Sequence, residues 1–135
     1  MFTSLFRIRK IHKTYLAIAH GQVNKDTSLL QDNLIIYENN KKIVQKAISY
    51  LKILSSNNKY SLLELKPITG RKHQLRKQLY NIGNPVVGDD KYFIKMEKNK
   101  LKNKKLMLHA YKLKIMINDI KYNYEAKYDE YFDNF

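Results

Sequence analysis

The run Thr69–Leu79, TGRKHQLRKQL, holds the residues of this chain best suited to chemistry. Arg71, Lys72, His73, Arg76 and Lys77 crowd together just after a strand-like stretch that ends at Pro67. Gly70 permits a tight turn between that stretch and the next element. A glycine turn that opens a basic helix gathers backbone N–H groups and cationic side chains at one point, which suits a phosphate. The same charges also fit an ordinary solvated helix face. The order of residue types therefore says more than the charge.

Several elements must position this run. Residues 7–13 read as a basic helix end or loop, leading into the strand KTYLAIAHG, where Tyr15, Ala17 and Ala19 alternate with Leu16, Ile18 and His20. Residues 22–33 look polar and loop-like, and 34–37 a short strand. Residues 43–54 and 60–65 form a predicted hairpin around Ser55–Ser56–Asn57–Asn58, and Pro67 is a plausible strand exit. A helix is expected over 73–82, with Leu75, Leu79 and Ile82 on one face and a stop at Gly83. Then come an extended segment and turn in NPVVGDDKYF, a charged loop or short helix over 95–105, and strands over 106–118 and 120–126 joined by Asn118–Asp119. The sum is an α+β fold: a mixed, largely antiparallel sheet with few helices, in one domain spanning 1–135.

Composition narrows the partners. The chain has 26 basic and 12 acidic residues among 135, a formal net charge of +14. Such an excess favours a polyanion, either nucleic acid or an anionic membrane surface. Lysine and asparagine are plentiful, and an AT-rich genome yields that bias by itself. The blocks 39–46 and 97–105 read as solvated faces. A membrane-surface role lacks an amphipathic apolar anchor, and no apolar run approaches the roughly 20 residues that cross a bilayer. With no cysteine, disulfides and thiolate metal sites are excluded, which fits a reducing cytoplasm. Four dispersed histidines lack metal-ligand spacing, so no metal is expected.

Taken in order, the motifs resemble the RluA-type family of RNA pseudouridine synthases. KTYLAIAHG is similar to the family's K-x-Y strand with its closing glycine. Residues 46–50 and 60–65 are similar to the following hairpin. ELKPITGRKHQLRKQLYNIGNPVVGDDKY is similar to the longest signature, with both the GR-x-HQ-[IL]-R core and the later G-x-P-[IV]-x-GD-x-x-Y intact. LMLHAYKL is similar to the L-x-LHA-x-x-L strand. Four collinear matches span roughly residues 8 to 126. One departure bears on mechanism: the HRLD-type motif, whose aspartate is the family nucleophile and which precedes the K-x-Y strand, does not occur. Asp26–Thr27–Ser28 lacks the preceding residues, follows Tyr15, and reads as loop. Lys127 stands where the family more often has proline.

The resemblance implies isomerisation of uridine to pseudouridine in RNA, with large-subunit ribosomal RNA the best single choice, and neither metal nor organic cofactor. It implies that Arg76 pairs with the nucleophilic aspartate and that Tyr15 stacks on the uracil. Both would act on a base flipped from its stack. Arg71, Lys72, His73 and Lys77 become candidates for RNA phosphates, although His73 and Gln74 could equally satisfy turn backbone groups. Leu75 and Leu108 could line the base pocket or simply pack. His109, Asp89 and Asp90 read as structural.

Two functions stay open at this point. The chain is expected to be the C-terminal portion of a synthase catalytic domain, inactive until a separately encoded N-terminal half brings the aspartate. The alternative is a basic RNA-binding module, or remnant, without catalysis. A sheet lacking such a half would expose strand edges and apolar surface, so poor solubility or self-association is expected.

Overall fold

The computed structural model describes residues 8–93, 105–117 and 120–126. Within them, the elements run β1 (Ile8–His20), β2 (Leu29–Glu38), β3 (Lys41–Ser56), β4 (Tyr60–Pro67), α1 (Gln74–Asn81), β5 (Leu108–Ile117) and β6 (Ile120–Glu125). The strands form a sheet in the order β2-β3-β4-β1-β5-β6, and every pairing among the described residues is antiparallel. This is the expected α+β class, with one described helix.

Alternation along β1 builds both layers. Ala17 and Ala19 face α1 together with Leu51, Leu63 and Leu65, while Leu16 and Ile18 point the other way against Val87 and Tyr111. Leu75 and Leu79 of α1 enter the first cluster, and burial of each contributes about 1.5–3 kcal/mol. Two glutamines then fix where the helix sits. Ser49 Oγ donates to Gln78 Oε1 at 2.7 Å, and Gln78 Nε2 donates to the carbonyls of Leu30 and Ala47, both at 3.2 Å. Gln74 Nε2 donates to the Ile48 carbonyl at 3.0 Å and to Ser49 Oγ at 2.8 Å. Both amides are buried, so each lost partner would leave a polar group dry.

The structure corrects two expectations. Residues 8–13 are strand, not helix end or loop: β1 begins at Ile8 and pairs with β5 from Ile8↔Ile117 onward. A basic outer pattern hid a pairing made far along the chain. Strand β2 occupies 29–33 as well as 34–37, so the loop is shorter than expected. Leu30 and Leu34 point inward, and the polar residues between them concealed the alternation; Asp32 accepts from Asn81 Nδ2 at 3.2 Å. The block 39–46 is largely solvated, as expected, and it also folds as a hairpin. Asn39 and Asn40 take left-handed φ of 50° and 64°, the geometry of a two-residue hairpin turn, and Lys41 starts β3.

Helix α1 is one residue shorter at each end than expected, and Ile82 is its exposed C-cap rather than part of the apolar face. Gly83, at φ 88°, closes it as expected. The hairpin β3–β4 and the strand pair β5–β6 stand where expected. Most of the charged stretch 95–105 and the turn 118–119 lie outside the described residues. The outer strands carry exposed Ile35, Tyr37, Ile120 and Tyr122.

Candidate active site

Past Pro67 the chain leaves the sheet and turns into α1, and this turn forms one wall of a cavity of about 430 Å³. Residues 67–71, His73, Gln74, Leu75 and Arg76 supply that wall; Ile11, Lys13 and Tyr15 of β1 and Leu108 of β5 supply the other. Tyr15, Arg76, Leu75, Leu108, Arg71 and His73 thus share one space, while Lys72 and Lys77 lie outside its lining. Among the described lining residues there is no carboxylate. The backbone irregularity between Thr14 and Tyr15 in the β1–β5 register sits just where the phenol enters, a usual way to re-aim a side chain.

The turn is held by its own side chains. Gln74 Oε1 accepts from Thr69 Oγ1 at 2.6 Å and from the Arg71 N–H at 3.1 Å, and Thr69 Oγ1 accepts the Ile48 N–H at 2.9 Å. The Gln74 N–H goes to the Arg71 carbonyl at 3.0 Å. These N–H groups are therefore engaged within the turn. Gly70 is not the left-handed residue either; that is His73, at φ 52°. A Cβ at Gly70 would meet nothing within 4 Å. Its side-chain-free surface belongs to the cavity wall, so closeness of approach from the cavity, not backbone strain, is what glycine provides there.

Arg76 is locked in place. Its Nε and Nη2 donate to Asp89 Oδ2 and Oδ1 at 2.8 and 2.7 Å, a two-pronged ion pair. Asp89 has no exposed surface and also accepts the N–H groups of Lys91 and Tyr92, each at 3.0 Å. Burial pushes the Asp89 carboxyl upward, but the hydrogen bonds from Arg76 and from these two amides outweigh it and hold the group below its ordinary value. The hydrogen bond to Asp89 raises Arg76 further, against some desolvation. A carboxylate so enclosed, with its oxygens occupied, is a poor nucleophile. Asp89 holds Arg76 in place through these bonds.

Tyr92 completes this cluster. The Arg76 guanidinium carbon lies 5.2 Å from its ring centre, and its hydroxyl is 3.1 Å from His73 Nδ1. Desolvation, then the charges of Arg76, Lys91, Lys72 and Lys77, pull His73 below its ordinary value. His73 is thus neutral at pH 7 and offers hydrogen bonds rather than a cation. Arg71 Nε donates to the Lys46 carbonyl at 3.0 Å, and Asp90 is fully solvated, 3.8 Å from Arg76 Nη2. Asp26 sits in an exposed turn, its N–H bonded to Asn24 Oδ1 at 2.9 Å, as the loop reading has it. Sequence reasoning missed the use of Asp89 and Tyr92 beside Arg76 and the presence of Lys13 in the cavity. The G-x-P-[IV]-x-GD-x-x-Y run contained the first two, but no spacing shows that a turn thirteen residues on meets Arg76.

Comparison with known proteins bears on this arrangement. The family model described as RNA pseudouridylate synthase matches residues 1–81. Ribosomal large subunit pseudouridine synthase D of Borreliella burgdorferi is 34% identical over 117 residues, covering 82% of this chain and 35% of that protein. Ribosomal large subunit pseudouridine synthase C of Rickettsia bellii is 35% identical over 144 residues, covering 95% of this chain and 46% of that one. In fold, the chain superposes on human RNA Pseudouridylate Synthase Domain Containing 1 with a TM-score of 0.75 at 24% identity, over 90% of this chain and 56% of the human one. The chain spans between about a third and a half of the length of these two curated relatives. Among the described residues no helix is long and apolar enough to cross a membrane.

Proposed function

Because this chain belongs to the RNA pseudouridylate synthase family, we propose that it supplies the base-binding part of a uridine-to-pseudouridine isomerase, as the C-terminal portion of the catalytic domain. The supporting observation is that Tyr15 and Arg76 line one cavity in which no described residue is an acid. The reaction breaks the ribose C1′–N1 bond, turns the uracil and rejoins C1′ to C5; the C5 proton leaves and N1 gains one. A carboxylate nucleophile assists the first step, and on this reading it comes from an aspartate-bearing N-terminal half.

The residues present have defined roles under this proposal. The Tyr15 ring stacks against a flipped uracil, with Leu75 and Leu108 as the apolar sides of its slot. Arg76, held still by Asp89, presents a fixed positive field that keeps an incoming carboxylate ionised. Arg71, with Lys72 and Lys77 outside the cavity, meets RNA phosphates, and neutral His73 offers a hydrogen bond. Large-subunit ribosomal RNA is the proposed substrate, in line with the names of the relatives, and the cytoplasm the proposed location.

The test is tritium release from RNA labelled at uracil C5, with the chain alone and with an aspartate-bearing N-terminal segment from a relative added in trans. The chain alone should be inactive and the mixture active. Tyr15→Ala should then lower the mixture's activity about 10- to 100-fold through lost stacking. Full activity of the chain alone would overturn the proposal. The second reading, RNA binding without catalysis, draws on the engagement of Arg76 by Asp89. Salt-dependent RNA binding with no activity in any mixture would favour it.

A further inference from the structure

Strands β1 and β4 part company beside the cavity. Their pairing runs from His20↔Tyr60 to Tyr15↔Leu65, while β1 continues back to Ile8 paired with β5. Where they separate, a second groove of about 530 Å³ opens, lined by Ile11, His12, Lys13, Thr14, Tyr50, Lys66, Pro67, Ile68 and Lys114. Ile11, Lys13, Pro67 and Ile68 line the first cavity as well, so the two spaces meet at the split.

The register shows which face this groove occupies. Tyr15, Ala17, Leu51 and Leu65 lie on the helix side of the sheet. Since side chains alternate along a strand, Tyr50 and Lys66, a cross-strand pair, lie on the opposite side, as do His12 and Lys114, another such pair. Lys66 is 59% exposed, and its nearest acid, Glu64, is 4.0 Å away while accepting the Tyr111 hydroxyl at 2.7 Å. Tyr50 and Ile68 are more than half exposed. The groove thus presents Lys66, Lys114 and a half-exposed Tyr50 on that face, Lys13 at its junction with the cavity, and no lining acid among the described residues.

Lysines set around an open aromatic face are the recognition chemistry of single-stranded nucleic acid: ammonium groups for the backbone, a ring for a base. The geometry points to a second RNA subsite on the far face of the sheet. There the strand flanking the target uridine passes over the Ile11–Ile68 lip, sets its phosphates against Lys66 and Lys114, and stacks one base on Tyr50. This rests on the cavity being the uridine site. Charge complementarity and continuity with that cavity both select RNA as the occupant.

The test uses the full chain and two fluorescent RNAs: a uridine trinucleotide, short enough for the cavity alone, and a uridine-rich 12-mer. Lys66→Gln/Lys114→Gln should weaken the 12-mer and reduce the slope of log affinity against log salt by about 1.4, at about 0.7 for each phosphate no longer neutralised. Tyr50→Ala should weaken the 12-mer about 5- to 150-fold through lost stacking. Both variants should bind the trinucleotide like the parent and melt at its temperature. Unchanged 12-mer binding by both, with Arg71→Gln still weakening both RNAs, would overturn the far-face subsite and leave the cavity reading intact. Indifference of both RNAs to Arg71→Gln, with the far-face variants still weakening the 12-mer, would instead remove the cavity reading. No binding of either RNA would remove both.

Discussion

Replacing Asp89 by alanine tests the claim that the Arg76 guanidinium is positioned by a buried ion pair. The substitution removes an acceptor that takes Arg76 at 2.8 and 2.7 Å and two backbone N–H groups at 3.0 Å. Adding four charge-assisted hydrogen bonds at about 1.5–3 kcal/mol each would give about 6–12 kcal/mol. That sum overcounts, because forming the pair also desolvated both charges. Removing one partner of a buried pair costs about 3–5 kcal/mol. Arg76 retains 15% exposure and lines the cavity, so it can turn partly to water, which selects the lower end, about 3 kcal/mol. With a urea slope of about 2 kcal/mol/M, the midpoint should fall by about 1.5 M at unchanged slope.

The pH dependence adds an independent check. Because the folded-state pKa of Asp89 lies below its ordinary value, the pair's stabilisation is complete above the usual carboxylate range. It is lost as pH falls through the lowered folded-state value. The gap between parent and Asp89→Ala should therefore be constant near neutrality and shrink only in strong acid. Urea melts followed by circular dichroism at several pH values measure this. A gap below about 1 kcal/mol at pH 7 would refute the buried-pair account, as surface pairs are worth no more. So would a gap that does not change on acidification.

Substitutions at two further positions probe the backbone beside Asp89 and at the site. Gly88 has φ 85°, and a Cβ there would collide with the Lys105 carbonyl, so Gly88→Ala should cost more than about 2 kcal/mol in thermal or urea melts. A near-neutral result would mean the 88–105 approach is not as close as described. At His73, φ 52° is tolerated by asparagine but strained for valine; His73→Val should cost about 1–2 kcal/mol more than His73→Asn. Because the His73 pKa is lowered on folding, its protonation opposes the fold, and stability should drop as pH falls below the ordinary histidine value. Proton NMR titration of its ring should show the downward shift directly.

How much of this was legible in the sequence depends on the range of the interactions. The hairpin β3–β4 and helix α1 are local, and period and turn chemistry reveal them. The start of β1 was not, because its partner strand comes about a hundred residues later and its own residues look like a solvated basic segment. Strand β2 was obscured by Gln31, Asp32 and Asn33, polar residues that an outer strand accommodates. At the site, it was the resemblance of the motifs to the family that pointed to Tyr15 and Arg76, and the fold brings both to one cavity. Spacing could not say that Asp89 would grip Arg76, or that Lys72 and Lys77 would fall outside the lining. Those facts depend on the rotation of one short helix, which Gln74 and Gln78 set through bonds to β3 and to the Leu30 carbonyl of β2.

The electrostatics of the cavity connect its two proposed tasks. Of its cations, Arg76 is largely compensated by Asp89, whereas Lys13 and Arg71 have no acid beside them among the described lining residues. The uncompensated charge thus sits on β1 and the Pro67 turn, and the compensated charge lies on the helix. A phosphate gains most beside Lys13 and Arg71, where two cations raise the local potential. A catalytic carboxylate needs something different: a fixed donor that does not shift as charge moves during the reaction. Arg76 meets that need because Asp89 has already restricted its motion. Under the proposed function, a field divided in this way would steer RNA toward Lys13 and Arg71 and leave the guanidinium to the attacking group. On this argument Arg71→Gln should weaken RNA binding with little effect on turnover by the mixture with the N-terminal segment, whereas loss of Asp89 should do the reverse.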